Sequence, residues 1–505
     1  MKEENERLLN KEEDNLDLDL DLTDEELNFK KLIYQLGSSI NDKYENDNFY
    51  RQIYYYYYYK GFTPMLLIYI TDILSLIFGI LFSIFIFVLL DWDKLLKCGN
   101  NNCENISEYV VFNEMNFFEI FLLMTSILYL SYKLYDFIPK VKNLINIRNY
   151  YNDSLKINCK TLHTYSWIDI LKKVTKNTYY DEHDITNKIL RKENYMISLI
   201  DKNIINISSK FYTYQLDKNL ELILSNNLNN LTNLKLKKKL IFYGIINLLC
   251  SGFILIFQVV YFFISNIDDF YSNRNVFGPR RYTIFAKRKF REYNELPHFF
   301  EERINKSMKY SIEYTKQFDS PVIEVISKFI GIITGAFIGF FLILSILDES
   351  ILLYVRFFDR TMLFYMGIIS AISSFSRSYI KNPEESVYNP NGVMERVVKY
   401  THYMPFEWKN KCHTYEVRDD FLSFFQYKII TFIYDIISVV TTPYILLFVL
   451  TKKTDNIISF IKTHTTYDMN VGYICSFATK NKNINDEKMK KSLSVFSENH
   501  SISLE

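Results

Sequence analysis

Met65 to Leu90 reads MLLIYITDILSLIFGILFSIFIFVLL, with Asp72 as its one charged residue. A helix spans a hydrocarbon core of about 30 Å with roughly 20 mostly apolar residues, and this stretch is long enough. It has company. Phe117 to Ile138 reads FFEIFLLMTSILYLSYKLYDFI, with Glu119, Lys133 and Asp136 near its ends. Leu240 to Ile267 and Phe329 to Leu347 carry no charge, Thr361 to Phe375 is a weaker block, and Ile429 to Leu450 carries Asp435 and a mid-segment Pro443. Several charge-poor blocks of this length exclude a set of core helices in a large soluble protein. The chain reads as an all-α polytopic membrane protein.

The averages conceal this. The 505 residues carry 59 Lys and Arg against 58 Asp and Glu, a net charge of 59 − 58 = +1, and the mean hydropathy is −0.06. The near-zero charge speaks against a nucleic-acid binder, which usually carries a large basic excess. The hydropathy looks soluble only because apolar blocks and polar stretches cancel. Two blocks have polar interruptions. Asn247, Cys250-Ser251-Gly252 and Gln258 lie in the 240–267 segment, and Thr441-Thr442-Pro443 breaks the last one. Proline removes a helix hydrogen bond, and non-helical backbone at membrane depth is tolerated only against protein or in a wet cavity. Hydropathy alone leaves both segments open between a span and a re-entrant loop.

Orientation follows from Lys and Arg near the membrane. The 91–116 loop has Lys94 and Lys97 against five acidic residues, whereas 139–239 carries eighteen Lys and Arg and 268–321 carries eleven. The first is expected to be lumenal and the others cytosolic, with both termini cytosolic. The lumenal loop holds Cys98 and Cys103, in a compartment that permits a disulfide, and the glycosylation sequon at Asn105. Residues 1–48 form an acidic arm with LDLDLDL at Leu16 to Leu22 and read as disordered. No leader with an apolar h-region precedes the first span, so none is expected to be cleaved. Glu4 with Leu8-Leu9 has the form of a dileucine sorting signal. The Tyr54 to Tyr59 run reads as an interfacial anchor, and residues 481–505 as a short polar cytosolic tail. No P-loop, GxSxG, HExxH or kinase set is present. His402, Cys412 and His413 form the nearest approach to a metal cluster and read as ordinary polar residues. No catalytic residue, cofactor or metal is implied.

From Phe277 to Asn305 the chain reads FGPRRYTIFAKRKFREYNELPHFFEERIN. This resembles the signature of the autophagy-related protein 9 family. Further segments resemble the family in the same order: Ile53 to Phe62; Asp91-Trp92 with Cys98; Asp184-Ile185 with Ile189-Leu190-Arg191 and Asn194-Tyr195; Thr401 to Pro405 with Trp408; and Gly472 with Cys475 to Ala478. The resemblance covers about residues 49–480. It implies four transmembrane helices (about 65–90, 117–139, 322–347 and 357–382), re-entrant membrane helices (about 240–267 and 427–450), cytosolic helices, and a domain-swapped homotrimer. It also implies a phospholipid scramblase of autophagosome formation. Such a protein needs no ATP, resides on Golgi-derived and endosomal vesicles and the phagophore, and works with a bridge-like lipid-transfer protein.

A lipid flips slowly because its headgroup must cross hydrocarbon, where unpaired polar groups cost several kcal/mol or more. A polar furrow removes that cost. Candidates for it are Thr361, Ser370, Ser374 and Arg377, whose spacing suggests one side of a helix, with Glu324 and Lys328 four residues apart. The resemblance implies pore positions at Ser374 and Arg377. It also makes Arg274 a candidate, because the family's charged cluster before Gly278 is replaced here by Tyr271-Ser272-Asn273. The basic run Arg280, Arg281, Lys287, Arg288, Lys289 and Arg291 is expected to lie on anionic headgroups. Two rival readings remain at this point: a channel or ion-coupled transporter, and a non-transporting scaffold that recruits partners.

Overall fold

A computed structural model of the chain describes residues 40–91, 117–176, 178, 180–224, 231–272, 279–318, 321–358, 360–377, 388–480 and 486–500. The expected sites Arg274, Asn105, Cys98 and Cys103 lie outside the described residues, as do most of the N-terminal arm and residues 378–382.

The described chain is mostly helix. Helix α1 (Ile40–Tyr58) leads to α2 (Phe62–Ile84) through Lys60 and Gly61, at φ 63° and 107°. The Gly61 N–H donates to Tyr56 O and the Lys60 N–H to Tyr57 O, at 2.8 and 2.9 Å. This closes α1 with a left-handed cap. Then follow α3 (Phe117–Asp153), α4 (Trp167–Lys176), α5 (Glu182–Asp201), α6 (Tyr214–Ile223), α7 (Asn233–Leu249) and α8 (Ser251–Ser272). After these come β1 (Arg280–Tyr282), α9 (Ile284–Phe290), α10 (Pro297–Lys316), α11 (Pro321–Leu347) and α12 (Glu349–Tyr354). A tight hairpin, β2 (Arg356–Phe357) and β3 (Arg360–Thr361), precedes α13 (Met362–Arg377). The chain ends in α14 (Pro390–Thr401), α15 (Tyr415–Phe424), β4 (Phe425–Tyr427), α16 (Lys428–Tyr444), α17 (Thr454–Thr463), β5 (Thr465–Asp468), β6 (Gly472–Cys475) and α18 (Glu487–His500). Strands β1 and β4 pair antiparallel with Arg281 opposite Gln426, and β5 pairs β6 with Thr465 opposite Cys475.

Among the described residues, three helices are long and apolar enough to cross a membrane: Phe62–Ile84, Glu324–Leu347 and Lys428–Lys452. The count rises to four if α7 and α8, bent by 67°, form one broken span. That bend falls at Cys250, where Ser251-Gly252 interrupts the apolar run. The Thr441-Thr442-Pro443 site behaves differently. Pro443 lies inside α16, and a wider π turn at Ile445–Val449 follows it directly. Such a turn absorbs the lost hydrogen bond without reversing the chain. The 117–139 stretch is the first part of α3, which continues unbroken through Pro139. In the 357–382 stretch the helix itself begins only at Met362.

With the remaining helices these build a body around three apolar clusters, the first of which also takes in Leu240, Leu446 and Leu450 of the apolar segments. The tyrosine run belongs to one of them rather than to a membrane interface. Tyr54 and Tyr56 are 0% and 1% exposed. Tyr54 packs edge-on against Trp167 with ring centroids 5.1 Å apart, and Tyr56 lies 4.6 Å from Tyr151. The aromatic rings meet α4, whose Trp167, Ile170, Leu171 and Val174 share one buried face.

The signature segments meet in a polar hub inside this body. Arg191 forms a buried ion pair with Asp47 at 2.7 Å and donates to Val471 O. Asn194 Nδ2 donates to Asn294 Oδ1 at 2.7 Å, and Asn294 Nδ2 donates to Ala478 O at 2.9 Å. Burial alone would raise the Glu292 carboxyl, but His402, Lys488, Ser492 and Arg303 outweigh it and hold it below the usual carboxylate range. The hub thus joins segments from the middle, signature and C-terminal motifs, and its residues serve cohesion.

Candidate functional site

Helices α11 and α13 pack as a pair. The Ser376 hydroxyl donates to Ser327 O across their interface, and Ser373 and Ser376 are both 3% exposed. The adjoining face of α13 carries Ser370, half-buried, with Ser374 and Arg377 exposed. Steps of four and three place these side by side. Glu324 and Lys328 form an i,i+4 ion pair at 2.7 Å on α11. Since Ser327 touches Ser376, this pair lies at the same end of the helix pair as Arg377. Thr361 does not join them. It sits in β3, opposite Arg356, before the helix starts. The sixteen residues of α13 separate it from Arg377 by about 24 Å at 1.5 Å per residue.

The expected basic surface is also partly rearranged. Arg288 holds Asp217 through two hydrogen bonds of 2.9 Å. Arg291 donates to Glu295 O. The Arg280 guanidinium lies 3.8 Å from the Tyr427 ring centroid, and burial lowers the Lys289 ammonium group from the usual lysine range. Arg281 and Lys287 are exposed.

A cavity of about 870 Å³ opens between α2, α3, α8, α16 and α6. Its lining includes the polar Asp72, Lys133, Lys218, Gln258, Lys428 and Asp435 and the apolar Ile254, Phe257 and Phe262. Gln258 Oε1 is buried without a hydrogen-bond partner among the described residues. Asp72 and Asp435 each stand seven residues beyond Met65 and Lys428, about 10 Å along a helix. That is a third of a hydrocarbon core of about 30 Å. The wall is braced by a polar relay. Ser438 Oγ donates to Gln215 Oε1 at 3.1 Å, Gln215 Nε2 to Asn247 Oδ1 at 2.8 Å, and Asn247 Nδ2 to Asn219 Oδ1 at 2.8 Å. A second crevice of about 440 Å³ runs along Leu74, Phe78, Gly79 and Val260. It shares Ser75, Phe257 and Tyr261 with the first. Both are lined mainly by apolar surface, into which the first sets its charged and amide groups.

Among the described residues, none of the site residues expected from sequence lines this cavity. The signal was nonetheless present. Asp72, Gln258 and Asp435 are polar residues inside apolar blocks, and an ionisable residue at membrane depth points to function by default.

The model of the family described as autophagy protein ATG9 matches residues 40–481. An autophagy-related protein 9 of Dictyostelium discoideum is 30% identical over 484 residues, covering 88% of this chain and 68% of the relative. One of Arabidopsis thaliana is 30% identical over 490 residues, covering 86% and 56%. The chain spans half the length of the Aspergillus fumigatus relative, 50%. The cryo-EM structure of Schizosaccharomyces pombe Atg9 aligns with a TM-score of 0.65 at 28% identity, over 87% of this chain and 99% of that one.

Proposed function

As the chain belongs to the autophagy protein ATG9 family, we propose that it is a phospholipid scramblase of autophagosome formation, moving lipids between leaflets without ATP and supplying membrane to the phagophore. The observation that carries this reading is the cavity that sets Asp72, Lys133, Lys218, Gln258, Lys428 and Asp435 into a mainly apolar lining, beside a crevice that shares Ser75, Phe257 and Tyr261 with it. In it, both signs of charge meet a zwitterionic headgroup while the crevice takes acyl chain. The headgroup exchanges water for fixed polar partners instead of hydrocarbon. No covalent bond is made or broken, so the protein is not an enzyme.

The chain acts as a homotrimer in this reading, with the α11–α13 pair exchanged between copies. Two features support the exchange. The pair exposes apolar residues such as Phe329 and Ile332, at 63% and 72%. Gly335, Gly339 and Gly367 have no heavy atom within 4 Å of where a Cβ would sit, which leaves room for another chain. Assembly would close the Ser370, Ser374 and Arg377 face into a pore. The protein would work on Golgi-derived and endosomal vesicles and at the phagophore, receiving lipid from a bridge-like lipid-transfer protein.

The test is reconstitution of purified protein in liposomes with a fluorescent lipid. Outer-leaflet quenching is expected to reach nearly all label without ATP, and Asp435→Leu is expected to slow the approach. Rates equal to those of empty liposomes would remove the scramblase assignment. Ion flux without lipid flux would favour a channel instead.

A further inference from the structure

The free basic surface lies away from the Arg280–Arg291 run, where the structure ties up several of the cations. Helix α7 starts at Asn233 with Thr232 as its cap. Leu236 and Leu240 are 2% and 1% exposed and pack in one cluster with Leu446, Leu450 and Ile457. Gly244 permits this close approach, since a Cβ there would meet Leu447 at 2.7 Å. The beginning of α7 and the end of the α16 run therefore stand side by side.

Their outer faces carry apolar rows that end together. Phe242 is 60% exposed and Phe448 is 55% exposed. Lys238 precedes Phe242 by four residues on the same face of α7, and the exposed Lys452 lies four residues past Phe448 at the end of the α16 run. Lys235 and Lys237 are exposed on the same first turns of α7. None of Lys235, Lys237, Lys238 and Lys452 forms an ion pair among the described residues. Their neighbours are occupied: Lys239 donates to Ile223 O and Lys453 to Asn206 O, both at 3.2 Å. The nearby Asp455 carboxylate is held by the Asn233 amide.

We propose that Lys235, Lys237, Lys238 and Lys452 form a binding site for anionic phospholipid headgroups at the membrane edge of the α7–α16 pair. Compact ammonium groups on flexible stems suit phosphate and carboxylate oxygens without a fixed geometry. The flanking phenylalanines place a lipid's acyl chains beside the same helices. Each lysine near a charged membrane surface contributes about fivefold in affinity. The site is separate from the Asp72–Asp435 cavity, and it holds acidic lipid whether or not that cavity scrambles.

The experiment is native mass spectrometry of the full-length protein in detergent, titrated with phosphatidylserine, a phosphoinositide or phosphatidylcholine. Wild type is expected to retain the two anionic lipids over phosphatidylcholine, with retention falling as salt rises. The combined Lys235→Gln, Lys237→Gln, Lys238→Gln and Lys452→Gln variant is expected to lose at least tenfold of that preference. The four Lys→Arg changes should keep it, as should Lys309→Gln with Lys411→Gln elsewhere on the surface. All four sites are exposed, and an unchanged gel-filtration profile shows that the glutamine variant is folded. Equal anionic-lipid retention by the glutamine variant and wild type, or no anionic preference in wild type, would overturn the proposal.

Discussion

Acidification should loosen the hub at His183, by an amount the structure fixes. The ring is 6% exposed, and each ring nitrogen faces a side-chain amide nitrogen: Asn187 Nδ2 at 3.2 Å and Asn294 Nδ2 at 3.1 Å. Both amides also donate to Ala478 O. A neutral ring offers one of these donors an acceptor, and an imidazolium would aim N–H groups at both. Burial, reinforced by the Lys480 ammonium, pushes His183 from 6.5 down to about 4. The unfolded ring therefore takes up a proton near 6.5 and the folded ring only near 4. Between those values the unfolded state binds more protons, so stability falls as pH falls. From about pH 7.5 to about pH 5 the loss is about 30-fold in the local opening equilibrium, or about 2 kcal/mol. Hydrogen–deuterium exchange, corrected for the intrinsic effect of pH, should show this in the segments around Asn194, Asn294 and Ala478. In His183→Gln, which cannot titrate, the pH dependence should shrink by the same factor. His298, also lowered to about 4 by burial with His500 and Lys60 nearby, contributes a remaining slope. If His183→Gln keeps the full wild-type slope, the reasoning about the neutral ring is refuted.

Three further outcomes are expected. Arg288→Leu leaves the buried Asp217 with only the Tyr212 hydroxyl at 2.8 Å; it should cost about 3–5 kcal/mol in thermal or denaturant unfolding, with Arg288→Leu/Asp217→Asn recovering part of it. Gly244→Ala forces Leu447 aside and should cost about 1–3 kcal/mol in the same measurement. Arg377→Ala should slow lipid scrambling in liposomes while the oligomer persists on gel filtration, and an unchanged rate would exclude it as a pore residue.

The apolar blocks were legible because membrane helices are written in contiguous residues. The bend at Cys250 was legible because Ser251-Gly252 marks it locally. Pro443 does not break the backbone, because a single π turn, invisible in composition, carries the helix past it. Thr361 was assigned to a helical row by spacing alone, although the short β2–β3 pairing fixes its backbone as extended. The tyrosine run looked interfacial because only α4 and α3, distant in sequence, reveal that it is buried. The large cavity was illegible for the same reason. Asp72, Gln258 and Asp435 are separated by well over a hundred residues, and only helix packing brings them to one wall.

The α13 face offers a last test of how a headgroup crosses. Counting back from Ser374 in steps of four gives Ser370, Met366 and Met362, and only then the polar hairpin at Thr361. Hydroxyls therefore line one end of this row, and thioethers interrupt it before the other end. If lipid moves along this face, the barrier is highest where the headgroup has lost Ser370 and not yet met Thr361. Replacing a methionine there with a hydroxyl residue should lower that barrier, whereas most substitutions in a working site only raise it. One added hydrogen bond contributes about 1 kcal/mol net, or about fivefold in rate. Met366→Ser should accordingly scramble faster than wild type in liposomes, by up to about that factor, and Met366→Leu should not. A Met366→Ser rate equal to or below wild type, with the oligomer intact, would place the rate-limiting step elsewhere and shift the path toward the Asp72–Asp435 cavity.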